Sequence, residues 1–454
     1  MSAEKKYPNE QIVVGLDIGT TKICAIVGKR NEFGKINILG LGKSHSDGVS
    51  RGVVVNIDKT VEAIREAVAE AEKHSGIKIE VVHVGIAGEH VRSMQHKGII
   101  TLNSPDFEIV QEDVSRLHED MFKIATPPGT EIIHVLPQEY TVDSQTGIVD
   151  PVGMSGVRLE GNFHIVTGQT TAANNIYKCV VRAGLEVSEL ILEPLASSAS
   201  VLTDEEKEAG VCLVDIGGGT TDIAVFESNI IRHTAVIPFG GNIVTEDIKH
   251  GFKVMKKHAE LLKIQYGSAL ADAVTDDVII SIPGPRDRPA KEIHKTMLAR
   301  VIQSRMEEIL EFVLAEIKNS GYEDKLVAGI VVTGGGAQLQ HMKQCVEYVT
   351  GIDTRIGYPG EHLASGMVDE VNFPMYATAS GLVVMGLENA EYAVTRQGTA
   401  AQPVRREPVS QTGGAGGSTP ARRAPSRLGP RISFIDKVKT WFESTLTNTG
   451  DFIE

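Results

Sequence analysis

The residues whose types and spacing could do chemistry are Asp215, Gly217, Gly218, Gly219, Thr220 and Thr221, inside the run VCLVDIGGGTTDIAVF from Val211 to Phe226. Successive glycines leave backbone N–H groups uncovered by any Cβ, so an anion such as phosphate can approach them, and two threonine hydroxyls add donors. A carboxylate at Asp215 would repel bare phosphate, but it is well placed if a Mg²⁺, through its waters, lies between them. The apolar runs VCLVDI and DIAVF read as the two strands of a hairpin. On this stretch alone, a glycine-rich hairpin without a ligand would read the same way.

The same design occurs near the start. QIVVGLDIGTTKICAIVG, from Gln11, gives an apolar strand, Asp17, a turn of Gly19, Thr20 and Thr21, then Lys22 and a second apolar strand. Both copies read DIG followed by TT, with the aspartates 198 positions apart. That separation is too long for a solenoid repeat and suits two copies of one α/β unit whose hairpins face each other across a cleft. Lys22 can reach a phosphate oxygen as a point charge, or it is a solvated strand residue. A third turn, AGIVVTGGGAQL from Ala328 to Leu339, sets Gly334, Gly335 and Gly336 between a strand and a helical continuation through Met342 and Val346. Such a turn lets a planar ring or phosphate rest on backbone. None of the three matches GxxxxGK[ST] or GxGxxG.

In this order the motifs resemble the actin-like ATPase superfamily. DIGTTK is similar to its first phosphate motif, DIGGGTTD to its second and VVTGGGAQL to its adenosine motif. Glu193-Pro194-Leu195-Ala196 resembles the first connecting helix, and ATASGLVVMG, from Ala377 to Gly386, the second. The resemblance implies that ATP and Mg²⁺ bind, with Asp17 and Asp215 on the metal's side and Glu193 near the hydrolytic water. Ala259-Glu260-Leu261-Leu262-Lys263 resembles the helix from which Glu260 and Lys263 reach the adenosine; read without the family, the two are an i,i+3 surface ion pair. The implied fold is α/β, actin-like, with duplicated ribonuclease-H-like domains about a nucleotide cleft.

Residues 83–163 read as a small inserted α+β subdomain with short strands around a helix from Glu112 to Ile124. Its block VLPQEYTVDSQTGIVDPVGMSGVRL, from Val135 to Leu159, is similar to the subdomain that marks the FtsA family of bacterial cell-division actins. Without that resemblance, Asp143, Asp150 and Arg158 in it simply fix turns. The expected division is 1–82 with 164–202, completed by 381–394, as subdomain 1A. The insert is 1C, residues 203–245 with 318–380 are 2A, and helix-rich 246–317 is 2B.

From 395 to 430 the chain is Gly, Pro, Ser, Thr, Ala and Arg with few apolar residues, the composition of a disordered linker. RISFIDKVKTWFESTL follows, within an amphipathic helix expected over 431–447. At 100° per residue, Phe434, Ile435, Val438, Trp441, Phe442 and Leu446 fall in an arc of about 140°. With Arg431, Lys437 and Lys439 beside it, this face suits a membrane interface, the alternative being a groove on a partner protein. Members of the resembled family carry a membrane-targeting helix.

The 454 residues suggest two to four domains or subdomains. A formal charge of -14 argues against general nucleic-acid binding, although residues 395–454 hold nine Lys/Arg against five Asp/Glu. Cys24, Cys179, Cys212 and Cys345 are scattered, which suits reduced, buried thiols rather than a metal cage. With no apolar run long enough to span a bilayer and no secretory or transit signal at the start, the sequence predicts a cytoplasmic protein.

The resemblance implies a polymer at the cytoplasmic face of the inner membrane, at the division septum. It would anchor the tubulin-like FtsZ ring and meet later division proteins through residues 83–163. An actin-superfamily metabolite kinase is the competing reading, but no catalytic aspartate with a sugar-binding loop stands out and a kinase has no use for a tethered amphipathic helix. A chaperone ATPase is disfavoured because no β-rich peptide-binding domain follows the second connecting helix.

Overall fold

The near-continuous apolar strands of the two hairpin motifs are buried on both faces, and this is what shapes the molecule. The structure, a computed structural model, describes residues 11–399 apart from 32, 103–107, 285–288 and 365–366. The expected linker beyond 399 and the helix bearing Phe434 to Leu446 lie outside the described residues.

Among the described residues the first sheet runs in the order Glu186–Leu192, Val81–Ile86, Ile12–Ile18, Lys22–Arg30, Ile36–His45. Alternation decides what each side chain meets. Val14, Leu16, Ile18, Ile23, Ala25 and Val27 pack with helices Ile57–Ser75 and Thr170–Ala183, while Val13, Cys24 and Ile26 pack with helix Ala377–Thr399. The second sheet repeats the plan, in the order Ile230–Ile237, Thr221–Glu227, Val211–Ile216, Ile330–Thr333, Thr354–Ile356. In each sheet the hairpin's first strand pairs antiparallel with its second and parallel with the next strand inward. The duplicated α/β architecture is therefore present as the sequence predicts.

Helix Glu193–Val201 and helix Ala377–Thr399 connect the two halves and cross at a very short distance. A Cβ on Gly381 would stand 1.7 Å from the Ala196 carbonyl oxygen, so only glycine permits this crossing. Ser200 Oγ donates to the Ala377 carbonyl at 2.7 Å, fastening it.

Three boundaries differ from the sequence reading. Strand Val81–Ile86 pairs in parallel with Ile12–Ile18, so it belongs to the first sheet and the insert starts after it. Strand Arg158–Gln169 carries the insert past 163, pairing with Arg92–Thr101 and Thr130–Val142 over helix Gln111–Met121. Residues 359–376 were assigned to the second half, yet Leu363, Val371 and Tyr376 pack on the first sheet and Ala364 N donates to the Ile36 carbonyl at 2.8 Å. The second connecting helix, recognised in the sequence over Ala377 to Gly386, runs on to Thr399.

The insert covers the open edge of strand Ile230–Ile237. Ser93 Oγ donates to the Thr234 carbonyl at 3.0 Å, Gln95 Nε2 to that of Arg232 at 3.3 Å and Gln138 Nε2 to that of Ile231, which satisfies an otherwise bare edge. Within the same contact His164 Nε2 lies 2.9 Å from Thr234 Oγ1. Burial, helped by nearby His233, lowers His164 to about 4. Unfolded histidine takes up a proton near 6.5, so between those values the unfolded chain binds more protons and stability falls as the pH drops from about 6.5 to about 4. Thermal melts should show a smaller loss of melting temperature over that window for His164→Gln than for the wild type; equal slopes would refute this assignment.

Candidate functional site

The two hairpins touch across the cleft. A Cβ on Gly218 would stand 2.3 Å from Thr21 Cγ2, and one on Gly219 would stand 2.6 Å from Thr20 Oγ1, so the glycines allow a contact that any side chain would break. Behind the second hairpin, Gly241 N and Asn242 N donate to the carbonyls of Gly217 and Gly218 at 2.9 and 2.8 Å. Across each planar peptide the next N–H points the opposite way, so the amides of Gly218 and Gly219 face away from helix Gly241–Phe252. The cleft beside this contact is lined by Asp17, Gly19, Thr20, Thr21, Lys22, Glu193, Asp215, Gly217, Gly218, Gly219, Thr220, Asp222, Gly334, Gly335 and Thr378, among others.

Its electrostatics are those of a cation site. Lys22 Nζ donates to Asp17 Oδ2 at 3.0 Å and lies 5.3 Å from the Tyr376 ring centroid. Burial pulls the lysine down, but the Asp17 carboxylate, with Cys24 and Tyr376 adding, outweighs it and leaves Lys22 above its ordinary value, hence charged. Opposite stand carboxyls that resist ionising. Burial raises Asp215; it raises Asp222 to about 8, with Asp215 adding to the effect; and it raises Glu193 well above the carboxylate range, with Asp17, Asp222 and Asp215 adding. One ammonium facing four carboxyls is an arrangement that a divalent cation relieves.

Asp215 Oδ2 accepts from Ser197 Oγ at 2.6 Å and from Thr378 Oγ1 at 3.2 Å, one hydroxyl from each connecting helix. Its other oxygen fits against the third turn only because Gly334, at φ 83°, has no Cβ: one would stand 2.2 Å from Asp215 Oδ1. Asp222 lies directly opposite Asp215 in the hairpin register, takes the Thr220 hydroxyl on Oδ2 at 2.9 Å and keeps Oδ1 buried without a hydrogen-bond partner. That orphaned oxygen, the glycine contact and the excess of acid fit a phosphate accompanied by Mg²⁺. Among the described residues no three His, Cys, Asp or Glu side chains converge closely enough to enclose a metal by themselves.

Asp17, Lys22, Asp215, Glu193 and the glycine turns thus meet as the sequence predicts. Other assignments need correction. Thr221 is buried and spends its hydroxyl on the Phe239 carbonyl at 2.9 Å, so it faces away from the cleft. Gly336 packs on Ile216 instead of lining the cleft. Glu260 and Lys263, on helix Lys256–Tyr266, are also absent from the lining: Lys263 Nζ donates to Gly241 O at 3.0 Å, Thr245 Oγ1 at 2.9 Å and Glu260 Oε2 at 2.9 Å, bracing the start of the helix behind the second hairpin. Sequence reasoning missed Asp222, Ser197 and Thr378. An aspartate inside the apolar strand DIAVF is a usable signal; the two hydroxyls, 181 positions apart, carry none.

Among the described residues no helix is long and apolar enough to cross a membrane. Residues 212–381 match the family model for cell division protein FtsA, and residues 88–167 match the model for the SHS2 domain inserted in FtsA. The second range agrees with the insert boundaries drawn from strand pairing. The chain is 44% identical over 378 residues to cell division protein FtsA of Pseudomonas aeruginosa, covering 83% of this chain and 90% of the relative. It is 38% identical over 405 residues to that of Escherichia coli K12, covering 87% and 96%. Among solved structures, the type IV pilus PilM–PilN complex aligns with a TM-score of 0.61 at 17% identity, covering 84% of this chain and 99% of that one. MreB5 of Spiroplasma citri bound to ADP aligns at 0.52 and 14%, covering 87% and 100%. These likenesses place the fold among actin-like proteins, and with the sequence identities they establish that the chain belongs to the FtsA family of actin-like cell division proteins.

Proposed function

We propose that the cleft binds ATP with Mg²⁺, that nucleotide state governs assembly of the protein with itself, and that the polymer links FtsZ to the cytoplasmic face of the inner membrane at the division septum. The observation that carries this reading is the pair of touching Gly/Thr hairpins with Asp17 and Asp215 in one buried, acid-rich cleft. Bound Mg²⁺-ATP would supply a phosphoanhydride with its charge largely neutralised. Lys22 and the amides of Gly218 and Gly219 would hold phosphate oxygens, and Asp17 and Asp215 the waters of the metal. The turn at Gly334 and Gly335 would meet the adenosine side. Glu260 and Lys263 would act through the brace they form behind the second hairpin.

Glu193 is the side chain best placed to orient water and, once a bound divalent cation offsets the neighbouring acids and lets it ionise, to accept the proton at its carboxylate. A single glutamate without further base or orienting group supports slow or conditional hydrolysis. Glu193→Ala should slow phosphate release about 10- to 100-fold at saturating Mg²⁺-ATP while nucleotide affinity stays within a few-fold; unchanged release would remove the role. Later division proteins would dock on the insert, and the sequence pattern of Phe434 to Leu446 supports attachment to the membrane. Electron microscopy of the protein on lipid, with and without ATP, tests nucleotide, polymer and membrane together: filaments on lipid only with ATP are expected, and filaments or lipid binding that ignore the nucleotide would refute the coupling.

A further inference from the structure

The insert reaches the turn that carries Glu193. Leu192 is the last residue of strand Glu186–Leu192 and the residue preceding helix Glu193–Val201, with extended backbone at φ -60° and ψ 125° and no side-chain cap. Its N–H leaves the strand and donates to His134 Nε2 at 3.0 Å, and His134 stands on strand Thr130–Val142 of the insert. An imidazole that accepts at Nε2 is neutral, with its proton on Nδ1. Burial favours that form, lowering His134 to about 4. On its other side Glu193 has no slack: a Cβ on Gly85 would lie 3.0 Å from Glu193 Cγ, so the glutamate side chain rests on bare backbone of the first sheet. Besides its pairing with Ile86 in the first sheet, the turn is therefore tethered by a side chain of the insert.

The same junction backs the second buried acid. Leu192 and Pro194 border a small void shared with Ser93 of the insert and with Val236, and Val236 is the register partner of Asp222. The insert thus touches the backbone of Leu192, next to Glu193, and the strand beside Asp222.

We propose that His134 is a positioning residue for Glu193: through its hydrogen bond to the Leu192 amide, the insert fixes where the glutamate sits in the cleft, so that displacement of the insert is felt at the site of hydrolysis. This rests on the reading of Glu193 given above. Imidazole to carboxamide keeps an acceptor at the Nε2 position, whereas imidazole to isobutyl does not, so His134→Gln and His134→Leu separate the hydrogen bond from mere bulk.

The test uses the full chain. Hydrogen exchange of the Leu192 amide is followed in nucleotide-free protein, phosphate release is measured in a single turnover with the protein in saturating excess over Mg²⁺-ATP, and affinity is measured with Mg²⁺-AMPPNP. Loss of one buried hydrogen bond should speed exchange about tenfold and slow release about tenfold in His134→Leu, with analogue affinity within about twofold of wild type. His134→Gln should restore both, and adding His134→Leu to Glu193→Ala should slow release no further. The proposal is overturned if Glu193→Ala slows release and His134→Leu does not. It is equally overturned if His134→Leu weakens analogue binding as much as release and His134→Gln fails to rescue, which would mark a structural role only. If Glu193→Ala itself leaves release unchanged, the reading of Glu193 fails and this inference falls with it, whatever the exchange rate at Leu192.

Discussion

Asp215→Ala is expected to weaken Mg²⁺-dependent ATP binding by about 100-fold while leaving the nucleotide-free protein at least as stable as wild type. The two halves of this result have one cause. Asp215 is a buried carboxyl whose ionisation is opposed first by burial and also by Asp17, so without a cation it is a liability. Its removal eases the ionisation of Glu193 and Asp222, both of which it holds up. Against that gain, the hydroxyls of Ser197 and Thr378 lose an acceptor, although they remain 3.1 Å from each other and can pair. With Mg²⁺ present the balance would reverse, because on the proposed reading the carboxylate would then accept from the metal's waters. Titration with a fluorescent ATP analogue, with Mg²⁺ and with EDTA, reads the affinity, and calorimetry of the nucleotide-free protein reads the stability. Binding of ATP and Mg²⁺ as tight as wild type would make the assignment of the second hairpin wrong. Asp215→Asn, which keeps partners for Ser197 and Thr378 but not the charge, should bind as weakly as the alanine variant.

Trp441→Glu should release the protein from lipid vesicles while ATP binding is retained. The six apolar residues Phe434, Ile435, Val438, Trp441, Phe442 and Leu446 would contribute at most about 9 to 18 kcal/mol if fully buried, before the cost of ordering a helix and of incomplete immersion. A fraction of that would give reversible docking, and a polymer carrying many such segments would convert it into firm attachment by avidity. Trp441 is the only tryptophan in the sequence and stands within the apolar arc, so a carboxylate there places charge where the bilayer would receive a ring. Residues 400–430, rich in Gly, Pro, Ser and Arg, separate this segment from the cleft in sequence, which is why nucleotide affinity should not change. Vesicle pelleting beside an ATP titration reads both. Pelleting equal to wild type would move the segment from membrane anchor to protein-binding peptide.

The residues that line the cleft were largely legible in the sequence because each hairpin is a local object. Asp17 with Gly19 to Lys22, and Asp215 with Gly217 to Thr220, are determined by neighbours within a few residues: apolar strands, a glycine turn and an acid at the strand end. The repeat of that pattern 198 positions later was enough to predict two facing α/β units. Pairings between distant segments were not legible. Nothing in VHVGI says that Val81–Ile86 pairs in parallel with Ile12–Ile18 and not with the insert that follows it. Local pattern likewise cannot say that Thr221 turns its hydroxyl to Phe239 while Thr220 beside it lines the cleft, since strand alternation gives two faces and only packing decides which is inside. The environment of Asp215 is the clearest case. Its charge and place in a hairpin come from sixteen residues of sequence, but Ser197, Thr378, Gly334 and Asp222 reach it from two connecting helices, a third turn and the opposite strand. A hydrogen bond depends on distances of a few tenths of an ångström, and between segments far apart in the chain those distances are set only when the whole core closes.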